Sequence, residues 1–156
     1  MLFSDGFCKF APNVQDMKKI VIIDGGPRRN MNTAQMLQKF AEGVKAANAG
    51  IEVKTYRLYD LDYKGCMSCM ACKVKGKASS ICKFKDPLTP ILEEIAQADG
   101  LVLGSPIYFG DVTGQMRSFL ERLCFPWLSY NDYNLLHGLY LMYLKPKLPK
   151  YCNICK

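Results

Sequence analysis

Cys66, Cys69 and Cys72 stand three residues apart in Gly65-Cys66-Met67-Ser68-Cys69-Met70-Ala71-Cys72, and nine residues separate Cys72 from Cys82. Four thiolates are the ligand set of an iron–sulfur cluster or a structural zinc. A C-x-x-C-x-x-C run is too tight to staple loops together, so it belongs to metal or redox chemistry in a reducing compartment. Free thiols are the third reading of the same four residues. Lys73, Lys75 and Lys77 lie in the insert before Cys82, either offsetting thiolate charge or forming a plain solvated loop. Cys8 and Cys124 read as lone thiols, and His137, the only histidine, reads as a surface residue.

A second chemistry lies upstream. The apolar run Ile20-Val21-Ile22-Ile23 leads through Asp24 into Gly25-Gly26-Pro27-Arg28-Arg29-Asn30-Met31, and then into a helical pattern opening with Asn32 and Thr33. Glycines let the backbone approach an anion, and the free N–H groups and positive dipole end of the helix attract one. The run lacks both G-x-G-x-x-G and the G-K-[ST] ending of a P-loop, so one terminal phosphate suits it better than a triphosphate. A similar junction recurs at Gly100-Leu101-Val102-Leu103-Gly104-Ser105-Pro106-Ile107-Tyr108-Phe109-Gly110. There Pro106 and the glycines hold an irregular backbone, and Tyr108 and Phe109 offer flat apolar faces to a ring.

These loops need a scaffold. Met36, Leu37, Phe40, Ala41, Val44 and Ala47 recur at helical spacing, and Gly50 closes that helix. The residues from Ile51 to Leu58 alternate as a second strand. Asp86 is placed to cap a helix with Pro87 at its first position and Leu88, Ile91, Leu92, Ile95 and Ala96 buried. Leu101 to Leu103 form a third strand, and Met116, Phe119, Leu120 and Leu123 share one face of the helix after it. Alternating strands and helices require a parallel sheet with right-handed crossovers. Ligands of such sheets sit beyond the carboxyl ends of the strands, here between the first and third.

The three motifs, with Gln115-Met116-Arg117 after the last, resemble the NADPH-dependent FMN reductase family, and more narrowly its iron–sulfur flavoprotein branch, from about Lys18 to about Tyr130. The resemblance implies a flavodoxin-like three-layer α/β/α fold, with FMN phosphate held at Gly26, Arg28, Asn32 and Thr33. It places the isoalloxazine ring at Pro106, Ile107, Tyr108, Phe109 and Gly110, and a [4Fe–4S] cluster on Cys66, Cys69, Cys72 and Cys82. Gly26 stands where the family usually has Ser and Met31 where it usually has Gly, and the Cys72–Cys82 spacing is longer than that branch's compact loop.

The implied function is an FMN-dependent oxidoreductase passing electrons from NAD(P)H, through the flavin and a cluster where one forms, to a small-molecule or protein acceptor. The alternative is a flavodoxin- or ferredoxin-type carrier with no substrate of its own. No paired-carboxylate or Ser/His/Asp machinery is visible, and none is required, because the cofactor carries the chemistry.

At 156 residues the chain is expected to hold one domain, residues 17–133, preceded by an extension over 1–16 and followed by an atypical tail over 134–156. The net charge of +7 owes four units to lysines of that tail, leaving +3 on the rest without an aromatic-rich basic stripe, so no nucleic acid partner is expected. No apolar run reaches membrane-spanning length and the N-terminus makes a poor signal peptide, so the expectation is a cytoplasmic protein with no membrane partner. Within the tail only residues 138–144 read as a strand before Pro146 and Pro149, as if the C-terminal strands were truncated. An uncovered sheet edge would then call for a homodimer or higher homo-oligomer.

Overall fold

A computed structural model of the chain describes residues 18–74, 79 and 81–127. The expected extension over 1–16, the tail over 134–156 with its strand at 138–144, Cys8, Lys75, Lys77 and His137 all lie outside the described residues. Strand β1 (Lys19–Asp24) is the centre of a three-stranded parallel sheet, flanked by β2 (Glu52–Arg57) and β3 (Gly100–Gly104) in the order β2-β1-β3. Asp24 is opposite Arg57 on one side and Gly104 on the other, so the strands end together at one carboxyl edge.

Burial of β1 on both faces explains its unbroken apolar run, with Val21, Ile22 and Ile23 wholly inaccessible. On one face helix α1 (Asn32–Ala47) packs Leu37 and Val44 against Ile20, Ile22 and Ile51. On the other face α2 (Thr89–Gln97) and α3 (Gly114–Cys124) pack Ile91, Leu92, Met116, Phe119 and Leu123 against Val21, Ile23 and Leu58. The result is the flavodoxin-like α/β/α arrangement.

The helix expected from Asp86 and Pro87 begins at Thr89, with Pro90 in its first turn. Asp86 accepts the Leu88 N–H at 3.0 Å in a side-chain turn that leads into the helix, and its carboxylate also accepts from Arg122. Ala96, expected in the buried stripe of that helix, is exposed, and Ala98 beyond the helix end is buried in its place. On α1 the helical spacing holds, but Met36 and Phe40 are exposed while Leu37 and Val44 carry the buried contact.

Candidate functional site

The first loop is braced from behind. Asp24, almost wholly buried at the end of β1, accepts the Gly26 N–H at 2.7 Å. Arg57, its cross-strand neighbour, donates Nε–H to the same carboxylate at 3.3 Å. The α1 N-cap residue, Met31, has an extended backbone and no side-chain cap, and the first turn of α1 has no acid. The helix therefore presents its first N–H groups, including those of Asn32 and Thr33, without intrahelical partners and with the positive end of its dipole uncompensated. Arg28, Asn30 and Asn32 are exposed around it, and Thr33 is half-buried.

Both departures in this loop fit. A Cβ on Gly26 would stand 3.0 Å from Asp24 Oδ1 and 3.4 Å from Thr33 Cβ, so glycine suits the space. Met31 has φ −111°, which any residue adopts. The Gly26 N–H itself is already engaged by Asp24, so Gly26 contributes to the loop by its lack of a side chain.

The second loop leaves β3 beside the first. The Gly25 N–H donates to the Gly104 carbonyl at 2.7 Å, tying the loops at the sheet edge. Beyond it Tyr108 and Asp111 exchange backbone hydrogen bonds of 2.8 and 3.1 Å around a tight turn. Its central residues, Phe109 and Gly110, have φ of 55° and 78°, the positive pair of a type I′ turn. Glycine adopts that conformation without penalty, whereas phenylalanine is strained in it, and such strain persists mostly at functional sites. Phe109 is fully exposed at the tip, Ile107 is 79% exposed and Tyr108 is about half exposed, while Pro106 is half-buried. Three large apolar side chains thus face solvent beside an anion-seeking helix end.

Helix α3 joins the loops from below. Thr113, its N-cap, accepts the Met116 N–H at 3.2 Å and donates its hydroxyl to the Gly25 carbonyl at 2.8 Å. A Cβ on Gly25 would lie 2.9 Å from Met116 Cε, 3.1 Å from Met116 Cβ and 3.2 Å from the Gly104 carbonyl oxygen, so the first loop rests closely on α3 at this glycine.

The four cysteines line one pocket, roofed by Arg122 and Phe84, against the second half of α3. Arg122 lies nine residues beyond Thr113, about 13 Å along the helix axis. The pocket therefore shares a helix with the flavin-type loops but is displaced from their edge. Glu121 accepts the Cys66 N–H at 3.1 Å. Arg122 donates Nε–H to Cys82 Sγ at 3.0 Å and its other groups to the Lys64 carbonyl at 3.0 Å, the Phe84 carbonyl at 3.1 Å and both Asp86 oxygens. Burial would raise the Asp86 carboxyl, but the Arg122 hydrogen bonds and charge outweigh it and hold it below the usual range. Burial pushes the Cys72 thiol up. Ser68 and Met70, on either side of the exposed Cys69, both have positive φ, so this loop is also strained.

Four thiols in one pocket match an iron–sulfur cluster in kind. Among the described residues, however, no three possible ligands stand close enough together to hold one metal ion. Closing them round a common centre requires the loop to contract.

Asp24, Arg57, Thr113, Glu121 and Arg122 carry much of this geometry and are absent from the sequence-derived candidates. The signal for Arg122 was a charged residue within the apolar stripe of its helix, and for Arg57 a charge at the exit of β2. Apart from Asp60, three residues from Arg57, their partners are 30 to 58 positions away, beyond the reach of local spacing.

The family profile described as NADPH-dependent FMN reductase matches residues 18–145. An iron–sulfur flavoprotein of Methanocaldococcus jannaschii is 35% identical over 104 residues, covering 67% of this chain and 51% of that one. Another, of Archaeoglobus fulgidus, is 38% identical over 104 residues, covering 67% and 48%. The chain thus spans about half the length of these curated relatives. Among solved structures, an azoreductase of Bacillus anthracis superposes with a TM-score of 0.51 at 16% identity, covering 69% of this chain and 55% of that one, which bears on the fold alone.

Proposed function

From the premise that this chain belongs to the NADPH-dependent FMN reductase family, we propose that it is an FMN-dependent oxidoreductase drawing electrons from NAD(P)H and delivering them to a small-molecule or protein acceptor. The observation that carries this reading is the uncapped start of α1 beside the strained, apolar Tyr108–Asp111 turn, two loops tied together at one sheet edge. Asn32 and Thr33 bind the flavin phosphate with their N–H groups and side chains, and Arg28, exposed beside them, adds a cation. The strand-to-helix loop from Pro106 to Gly110 holds the ring, with Ile107, Tyr108 and Phe109 excluding water from one side. Bound FMN supplies reversible acceptance of a hydride and its return as one or two electrons. The protein's part is then to bind, orient and shield.

Cys66, Cys69, Cys72 and Cys82 are the residues that would hold a [4Fe–4S] cluster, a reading supported by their shared pocket and by the printed names of the relatives. A homo-oligomer would cover the outer edge of β3, which pairs only with β1 among the described residues.

The purified protein is expected to bind FMN and to oxidise NAD(P)H with an artificial acceptor, and Thr33→Ala is expected to weaken FMN about ten- to hundredfold. FMN binding without NAD(P)H turnover would point to an electron carrier. Unchanged affinity in Thr33→Ala would refute the cradle.

A further inference from the structure

We propose that Arg57 is a positioning residue that gives the first loop its selectivity for the flavin phosphate, an inference that rests on the FMN reading above. Arg57 is the last residue of β2 and its side chain is only 17% exposed. It packs against the loop from the end of β2 and touches four groups there. Nε–H meets Asp24 Oδ2 at 3.3 Å, one terminal amino group meets both Asp60 oxygens at 3.1 and 3.3 Å, and the other meets the carbonyls of Gly26 at 3.3 Å and Pro27 at 3.4 Å.

The two carbonyl contacts matter most. Carbonyl oxygens facing an anion repel it, and the loop has two in succession that could do so. In a trans peptide the C=O and N–H point in opposite directions. Holding the Pro27 carbonyl towards the guanidinium therefore aims the next N–H, that of Arg28, away from Arg57 and into the cradle. The Gly26 N–H, two residues earlier, is turned the other way by Asp24 at 2.7 Å. Asp24 and Arg57 together thus sort the polar groups of the loop, acceptors and the surplus donor inwards, the useful donor outwards.

A lysine cannot replace this fork. Its compact ammonium lacks the planar geometry that spans two carbonyls and two carboxylates at once. Asp24 and Asp60 both face Arg57, so its charge is largely answered by two carboxylates, the second of them shared with Arg29 at 3.0 Å. Its contribution to phosphate binding is accordingly the direction it imposes on the backbone.

The test compares FMN with riboflavin, which lacks the phosphate, on the full chain. Dissociation constants are measured by quenching of flavin fluorescence for FMN and by competition for riboflavin, for wild type, Arg57→Met and Arg57→Lys. The expected result is a tenfold or greater loss of FMN affinity in both variants with riboflavin affinity within twofold of wild type. Parallel losses for both ligands, no loss for either, or full retention of FMN affinity by Arg57→Lys would each overturn the inference. If Arg57→Met does not fold by far-UV circular dichroism, Arg57→Lys decides alone. Wild-type protein that fails to bind FMN would refute the functional reading itself, a result distinguishable from any of these.

Discussion

Replacing Arg122 with methionine should cost about 3–5 kcal/mol of folding stability, because its guanidinium is, with Asp24, one of two charged side chains buried among the described residues. It is 2% exposed and stacks on Phe84. Its removal leaves Asp86, whose side chain is 10% exposed, without the partner that meets it at 2.7 Å. Breaking a buried pair by deleting one member strands the other charge, and that penalty falls in the 3–5 kcal/mol range. The orphaned carbonyls of Lys64 and Phe84 add to it where water does not reach them. Asp86 keeps its N–H bond from Leu88, which offsets part of the loss. Urea unfolding followed by circular dichroism measures the change as a shift in midpoint, about 2 M or more at an m-value near 1.5 kcal/mol/M. The double variant Arg122→Met/Asp86→Leu removes both charges and should recover at least half of the loss. The pH dependence has a defined sign. Asp86 titrates below its ordinary value in the folded state, so its pairing stabilises above the unfolded carboxylate pKa, roughly 3.9, and is lost as pH falls through the folded value. The gap between wild type and Arg122→Met should therefore narrow in acid. A loss below about 1 kcal/mol, or a double variant no more stable than the single, would refute this account of the α3 anchor.

Glu94 of α2 gathers Lys19, Lys54 and Tyr56 from the sheet, and those hydrogen bonds hold its carboxyl down at about 2. Glu94→Gln should lower stability at neutral pH by about 1 kcal/mol, less at high salt. Thermal melts should show the difference vanishing between pH 4.5 and 2, and a gap that persists below pH 2 would exclude the cluster as its source. Phe109→Gly relieves the positive φ at the turn tip and should raise stability by about 1 kcal/mol while weakening FMN, a combination read from melting and titration of the same sample. Loss of stability together with unchanged FMN affinity would mean that Phe109 is a packing residue.

The fold was largely legible because β1 is a fully buried central strand and its flanking helices carry clear apolar stripes. Ile20 to Ile23 and the opening of α1 at Asn32 follow directly from local pattern. Asp86 accepts the N–H two residues on, as a helix-start residue should, but its second partner, Arg122, is brought to it only by the fold. Ala96 lies off the buried stripe, whereas Ala98, just past the helix end, keeps the helical spacing of three from Ile95 and seven from Ile91 and is buried. The loop residues that face a ligand were legible from glycine, proline and aromatic content. Arg57 and Thr113, which brace the loops from behind, were not, since each acts through a backbone group contributed by another part of the chain, and Asp24, which holds the nearby Gly26 N–H, reads in sequence only as the end of an apolar strand.

The central claim is that one FMN lies across the β1–α1 and β3–α3 loops, with its phosphate at the start of α1. Amide NMR of the isotope-labelled protein titrated with FMN tests it most directly. The expected result is saturation at one FMN per chain, with the largest shifts in the amides from Arg28 to Thr33 and from Ile107 to Gly110 and little change at the amino ends of the strands. Absence of binding, or shifts centred on Cys66 to Cys72 with the Arg28–Thr33 amides unmoved, would contradict it.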